Sequence, residues 1–103
     1  MNRAFLLAAA VVAVAISMPA AAGDAEAGEA KSAPCAGCHG AQGKAMIPTY
    51  PHLAGQNAAY LVESMKAYRD NARTGGMAAV MKAPVMALSD EDLADLAAYY
   101  SQL

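Results

Sequence analysis

Residues 35–39 read Cys-Ala-Gly-Cys-His, and this stretch organises the rest of the chain. Two thiols stand three positions apart, and an imidazole follows the second directly. That is the C-x-x-C-H pattern of covalent c-type haem attachment. Haem carries two vinyl groups on neighbouring pyrrole rings. One helical turn sets two cysteine sulfurs at a separation that reaches both, and the next residue turns its ring toward the iron. Ala36 and Gly37 are small enough to let the backbone lie against the porphyrin edge. Gly40 follows, where a side chain would crowd the turn.

Three other readings of the same residues compete. A thioredoxin-like redox pair needs a βαβ context, and no segment here alternates with period two. A zinc site is poorly served by two cysteines and two histidines when Cys38 and His39 are adjacent. A disulfide between residues so close in sequence would close a tiny loop and constrain little.

The chain has 103 residues, enough for one small domain. Arg3, the apolar run over residues 4–16 and the triplet Ala20-Ala21-Ala22 read as a secretory signal with an A-x-A cleavage site. The expected organisation is a signal peptide over residues 1–22 and a haem domain over residues 23–103. An uncleaved anchor is the alternative, but Pro19 falls where its helix would have to continue. Export and C-x-x-C-H reinforce each other, because haem is attached to cysteines outside the bacterial cytoplasm. A periplasmic location is therefore expected. Without Arg3 the chain carries six Lys and Arg against nine Asp and Glu, a net charge of −3. No basic run suggests nucleic acid. A domain of this size buries little surface alone and needs a staple, which a covalently held haem supplies.

With no second C-x-x-C-H, one haem is expected. Three helices are predicted, over residues 24–33, 57–73 and 90–102. Asp24, Glu26 and Glu29 suit the positive end of the first, and Pro34 is expected to end it. Gly28 is costly inside that helix unless another backbone or a bulky ring comes close. Ala58, Leu61, Val62, Met65 and Tyr68 repeat at the helix period in the second, which Gly75-Gly76 should terminate. Ser89 is the expected N-cap of the third, whose apolar stripe is Leu93, Leu96, Ala97 and Tyr100. Residues 34–55 and 74–84 collect Pro and Gly and read as loops. The fold expected is all-α.

C-x-x-C-H supplies one axial ligand, and the nature of the other sets the chemistry. The candidates are Met46, Met65, Met77, Met81, Met86 and His52. Met65 lies on a core stripe. Met46 is close in sequence to the attachment site. Met77, Met81 and Met86 cluster just before the last helix, where one could ligate and the others pack as soft apolar filler. Spacing does not choose among them.

The chain resembles a small class I c-type cytochrome, and most of all cytochrome c553 and one half of di-haem cytochrome c4. The resemblance rests on residues 35–40 (Cys-Ala-Gly-Cys-His-Gly), 51–56 (Pro-His-Leu-Ala-Gly-Gln), 59–61 (Ala-Tyr-Leu), 68–70 (Tyr-Arg-Asp), 88–93 (Leu-Ser-Asp-Glu-Asp-Leu) and 96–100 (Leu-Ala-Ala-Tyr-Tyr). It implies a class I cytochrome c fold with three main helices around one haem c held by two thioethers, the first and last helices crossing near it. It implies that Gly28 faces Tyr99 and Tyr100, and that the Pro51 carbonyl accepts the Nδ1 proton of His39, with Pro48 as runner-up. It places the ligand methionine eight residues before the serine of the Leu-Ser-Asp cap, at Met81, with His52 a surface residue. The site set is then Cys35, Cys38, His39 and Met81, the last two on the iron. The implied function is a soluble periplasmic carrier of one electron at a time, and not an enzyme. Its partners would be redox proteins, and membranes would be met only by transient docking to respiratory complexes. The alternatives are a cytochrome subunit of a periplasmic dehydrogenase such as a sulfide-oxidising flavocytochrome c, and a ligand-binding haem protein with an open iron.

Overall fold

The structure is a computed structural model that describes residues 4–15 and 23–103. The expected signal peptide therefore falls partly on residues 1–3 and 16–22, which lie outside the described residues. Residues 4–15 are exposed and carry no helix or strand. No helix among the described residues is long and apolar enough to cross a membrane.

Five helices and no strand make up the described residues, as the all-α expectation required: α1 (Ala25–Lys31), α2 (Ala33–His39), α3 (Ala58–Arg69), α4 (Ala78–Met86) and α5 (Asp90–Ser101). The three expected helices are α1, α3 and α5. The two additional ones lie where loops were expected.

The chain enters α1 through Asp24, whose carboxylate accepts from the N–H groups of Glu26 and Ala27. Pro34 does not end the helical run but sits in the first turn of α2, where its missing N–H costs nothing. The break falls instead at Ser32, whose N–H bonds back to the Glu29 carbonyl and whose own carbonyl accepts from Cys35 and Ala36. α3 opens on the Asn57 side chain. It ends before the expected Gly75-Gly76, because Asn71 adopts a left-handed φ of 61° and the Ala72 N–H returns to the Ala67 carbonyl at 2.9 Å, a Schellman-type ending. α4 forms despite Pro84, which lies inside it. Ala78, Ala79, Met81, Lys82 and Ala83 are strong helix formers, and they offset the one lost bond. α5 begins as expected at Ser89, with a reciprocal capping box to Asp92.

The core is Leu61, Leu96, Ala97 and Tyr100. Leu96 within it and Leu93, one turn earlier on α5, are the largest fully buried side chains among the described residues. The most extensive helix interface is α1 against α5, and α3 packs on both α5 and α4. Gly28 explains how closely α1 approaches. A Cβ built there would run into the Asp95 carbonyl and lie 2.8 Å from Tyr99 Cβ. The expected close approach is therefore present, but its nearest atoms belong to Asp95 and Tyr99 and not to Tyr100. The same interface holds an ion pair. Lys31 Nζ reaches Asp95 Oδ2 at 2.6 Å and Asp92 Oδ1 at 2.8 Å, while the Asp24 N–H donates to Asp95 Oδ1 at 2.8 Å. The Asp24 amide and the Lys31 ammonium hold the buried Asp95 carboxyl below its ordinary value. Lys31 holds Asp92 at about 2, and the two carboxylates raise Lys31 in turn. In the same first turn of α5, Asp90 pairs with Arg69, which also donates to the Leu88 carbonyl, so the end of α3 is tied to the start of α5.

Candidate functional site

The helices leave a cleft of about 400 Å³ between α2, the 49–56 segment, α3 and α4. All four residues of the sequence-derived set, Cys35, Cys38, His39 and Met81, line it. Its apolar walls come from Leu53, Leu61, Met65, Val85, Leu96 and Tyr100 among others.

The attachment pair sits on α2, so one helical turn does separate the two sulfurs. The two cysteines are not joined to each other. Cys35 packs against the core cluster, and that burial pushes its thiol up. Cys38 is exposed. Burial also drives the neighbouring Tyr100 phenol above its usual range. Gly40 closes α2 at φ +86°, a left-handed value that a side chain resists, and a Cβ there would strike the Lys44 carbonyl. The turn is therefore a glycine turn, as the sequence suggested. No protein atom lies within 4 Å of where a Cβ at Gly37 would sit, which leaves that side of the turn open for the porphyrin edge.

His39 is 5% exposed. Its Nδ1 lies 2.9 Å from the Pro51 carbonyl oxygen. A carbonyl can only accept, so Nδ1 carries the proton and Nε2 keeps its lone pair for a metal. The expected Pro51 partner is thus present and the runner-up, Pro48, is not used. Local backbone bonding puts Pro51 there. The Gly43 carbonyl accepts from both Leu53 (2.8 Å) and Ala54 (3.0 Å), which pins the 51–54 segment beside the attachment turn.

The methionines divide clearly. Met81 is half-buried and lines the cleft from α4. It therefore lies on a helix, not in the loop expected from the Gly, Ala and Pro around it. Met77, at the N-cap of α4, also lines the cleft but is 53% exposed. Met86 is 60% exposed and Met46 is 94% exposed, and neither lines it. Met65 lines it from α3. His52 is an exposed residue whose Nδ1 accepts from the Ala45 N–H at 2.8 Å. Its ring braces the loop, in line with the surface role expected.

The competing readings find little here. Among the described residues no three of His, Cys, Asp and Glu come together as a metal-holding group. What converges instead is a thiol pair, one metallable imidazole nitrogen, the thioethers of Met65, Met77 and Met81, and apolar walls, a donor set suited to haem. The sequence reading did not single out Arg73, which lines the cleft with its guanidinium carbon 4.7 Å from the centroid of the Tyr68 ring. The available signal was that Arg73 is the only cation between Arg69 and Lys82.

Comparison with known proteins agrees with this geometry. The cytochrome c family model matches residues 25–103. The chain is 58% identical over 80 residues to cytochrome c-554(548) of Halomonas halodenitrificans, covering 78% of this chain and 96% of that protein. It is 48% identical over 81 residues to cytochrome c4 of Pseudomonas aeruginosa, covering 79% of this chain but only 39% of that protein. Among solved structures, reduced recombinant cytochrome c4 from Pseudomonas stutzeri matches with a TM-score of 0.63 and 38% identity, over 78% of this chain and 45% of the other. The chain thus spans nearly all of the first relative and about two fifths of the second. With an all-α class I fold, one C-x-x-C-H turn and a prepared imidazole, the chain belongs to the cytochrome c family, electron carriers that hold haem c covalently on a cysteine pair, and is a single-haem member of it.

Proposed function

We propose that residues 23–103 form the mature domain of a periplasmic electron carrier, with Cys35 and Cys38 as the thioether residues and His39 and Met81 as the axial ligands. The observation that carries this reading is that one cleft is lined by all four, with the His39 Nδ1 proton already engaged by Pro51. Haem bound there supplies a one-electron ferric–ferrous couple.

The residues of the chain account for the rest. Pro51 fixes the ring plane and tautomer of His39, so Nε2 is presented in one orientation in both oxidation states. Met81 contributes a thioether, which favours the reduced form relative to a second imidazole and so raises the potential. Its half-burial, beside the more exposed Met77 and Met86, supports it as the ligand. Leu61, Leu96 and Tyr100 keep water from the inner wall, and the low dielectric disfavours the extra charge of the oxidised form. With His39 and Met81 both holding the iron, bound haem would offer no open site to a substrate, which supports a carrier over an enzyme. The net charge of −3 beyond residue 22 suits partners with a basic docking rim. Residues 1–22 are assigned as the export signal that brings the chain to the haem-attachment machinery.

The test is a paired oxidised and reduced absorption spectrum of wild type and Met81→Ala, produced with haem-maturation machinery. Wild type should be low-spin and show the ferric thioether band. Met81→Ala should lose that band and bind carbon monoxide when reduced. If Met81→Ala keeps the band, the ligand is another methionine. A high-spin wild type that takes up carbon monoxide would overturn the carrier reading altogether.

A further inference from the structure

We infer that Arg73, braced on the ring of Tyr68, is the residue that neutralises a haem propionate in this cleft. The inference rests on the haem reading above and adds to it a residue and a ligand group. Haem is apolar except for its iron and two carboxylates, so a cleft built for it needs a cation at its carboxylate edge or leaves that charge to solvent. Among the residues lining the cleft there is no Asp or Glu, and Arg73 is the one Lys or Arg.

Its donors are also free to act. Lys31 is taken up by Asp92 and Asp95, Arg69 by Asp70 and Asp90, and Lys82 by the Asn71 side chain. Arg73 has no carboxylate or carbonyl partner among the described residues. Its guanidinium lies over the Tyr68 ring instead, an interaction that holds the plane while leaving the N–H fork open.

The backbone that carries it is fixed as well. The N–H groups of Ala72 and Arg73 both donate to the Ala67 carbonyl, at 2.9 and 3.0 Å. The left-handed turn at Asn71 makes this possible. The early end of α3 therefore has a purpose. It turns the chain so that Arg73 lines the cleft beside Tyr68, where a planar fork can meet a carboxylate with two hydrogen bonds.

The experiment is a spectroelectrochemical titration of the full haem-loaded chain, comparing wild type, Arg73→Gln and Arg73→Lys. With its carboxylate unneutralised, Arg73→Gln should shift the midpoint potential negative, because the uncompensated negative charge favours the ferric form. Arg73→Lys should recover most of that shift through its charge. Denaturant unfolding of the same samples separates a loss of ring stacking from a loss of charge. If Arg73→Gln is low-spin, keeps the thioether band and has the wild-type midpoint, the assignment to a propionate is wrong, whatever happens to stability. A wild-type chain that takes up no haem counts instead against the carrier reading beneath it.

Discussion

Gly28→Ala sets two known effects against each other, and the structure decides between them. Alanine in place of glycine within a helix is worth about 1 kcal/mol in α1's favour. The added methyl, however, points at the Asp95 carbonyl and lies 2.8 Å from Tyr99 Cβ. Both obstacles belong to the backbone or to its first side-chain atom, so no rotamer change clears them. α1 must move away from α5. That movement also stretches the Asp24-to-Asp95 bond of 2.8 Å and the Lys31 contacts of 2.6 and 2.8 Å. Overpacking costs about 1–3 kcal/mol where side chains can adjust, and a backbone obstacle places this site at the upper end. The net expectation is a loss of about 2 kcal/mol. For a domain of this length that lowers the melting temperature by about 8–16 °C. The assay is reversible guanidinium unfolding of the oxidised haem-loaded chain, followed by far-ultraviolet circular dichroism, with an unchanged slope and a lower midpoint. If Gly28→Ala is as stable as wild type, the helices are not as close as the structure places them, and the argument for glycine fails.

The remaining expectations concern the ends and charges of the same helices. Ser89→Ala removes half of the capping box on α5 and should cost about 1 kcal/mol. A denaturation midpoint equal to wild type would mean that solvent caps the helix as well. The Lys31 cluster predicts a pH effect. Asp92 is lowered from 3.8 to about 2, and Asp95 is lowered too. The unfolded chain therefore takes up protons on these groups before the folded one does. Their stabilisation is present above 3.8 and is lost as pH falls toward 2. Lys31→Met should flatten that part of the acid unfolding curve of the haem-loaded chain, and an unchanged acid profile would remove the cluster from the account.

The sequence was most informative where chemistry forces a residue type. Cys35, Cys38 and His39 were legible because thioether attachment and iron ligation admit few substitutes, and the structure brings them to one cleft. α5 was legible from Ser89 and its apolar stripe, and α3 from its period. α4 was not, because Ala and Met have no amphipathic contrast and Pro84 reads as a breaker when only local rules are applied. The end of α3 was misplaced for a related reason. Gly75-Gly76 is the stronger stop signal, but Asn71 reaches a left-handed φ first. Arg73 escaped notice because its meaning depends on what lies around it in space, namely a cleft without an acidic wall and the face of Tyr68.

The bond from His39 to Pro51 is made to a main-chain oxygen, and this has consequences for heredity as well as chemistry. No single codon change deletes a carbonyl, so the orientation of the imidazole is insulated from ordinary substitution at position 51. Only a change that shifts the 51–54 segment, such as an insertion or a lost tether to the Gly43 carbonyl, can release the ring. The acceptor is also neutral at every pH. A carboxylate in its place would draw the proton further and make the ring a stronger donor to iron, whereas an amide dipole supplies a constant and moderate pull. The acceptor on this side of the site is thus one that neither a point substitution nor a change of pH removes, and the potential is left to be set from the methionine side and the walls.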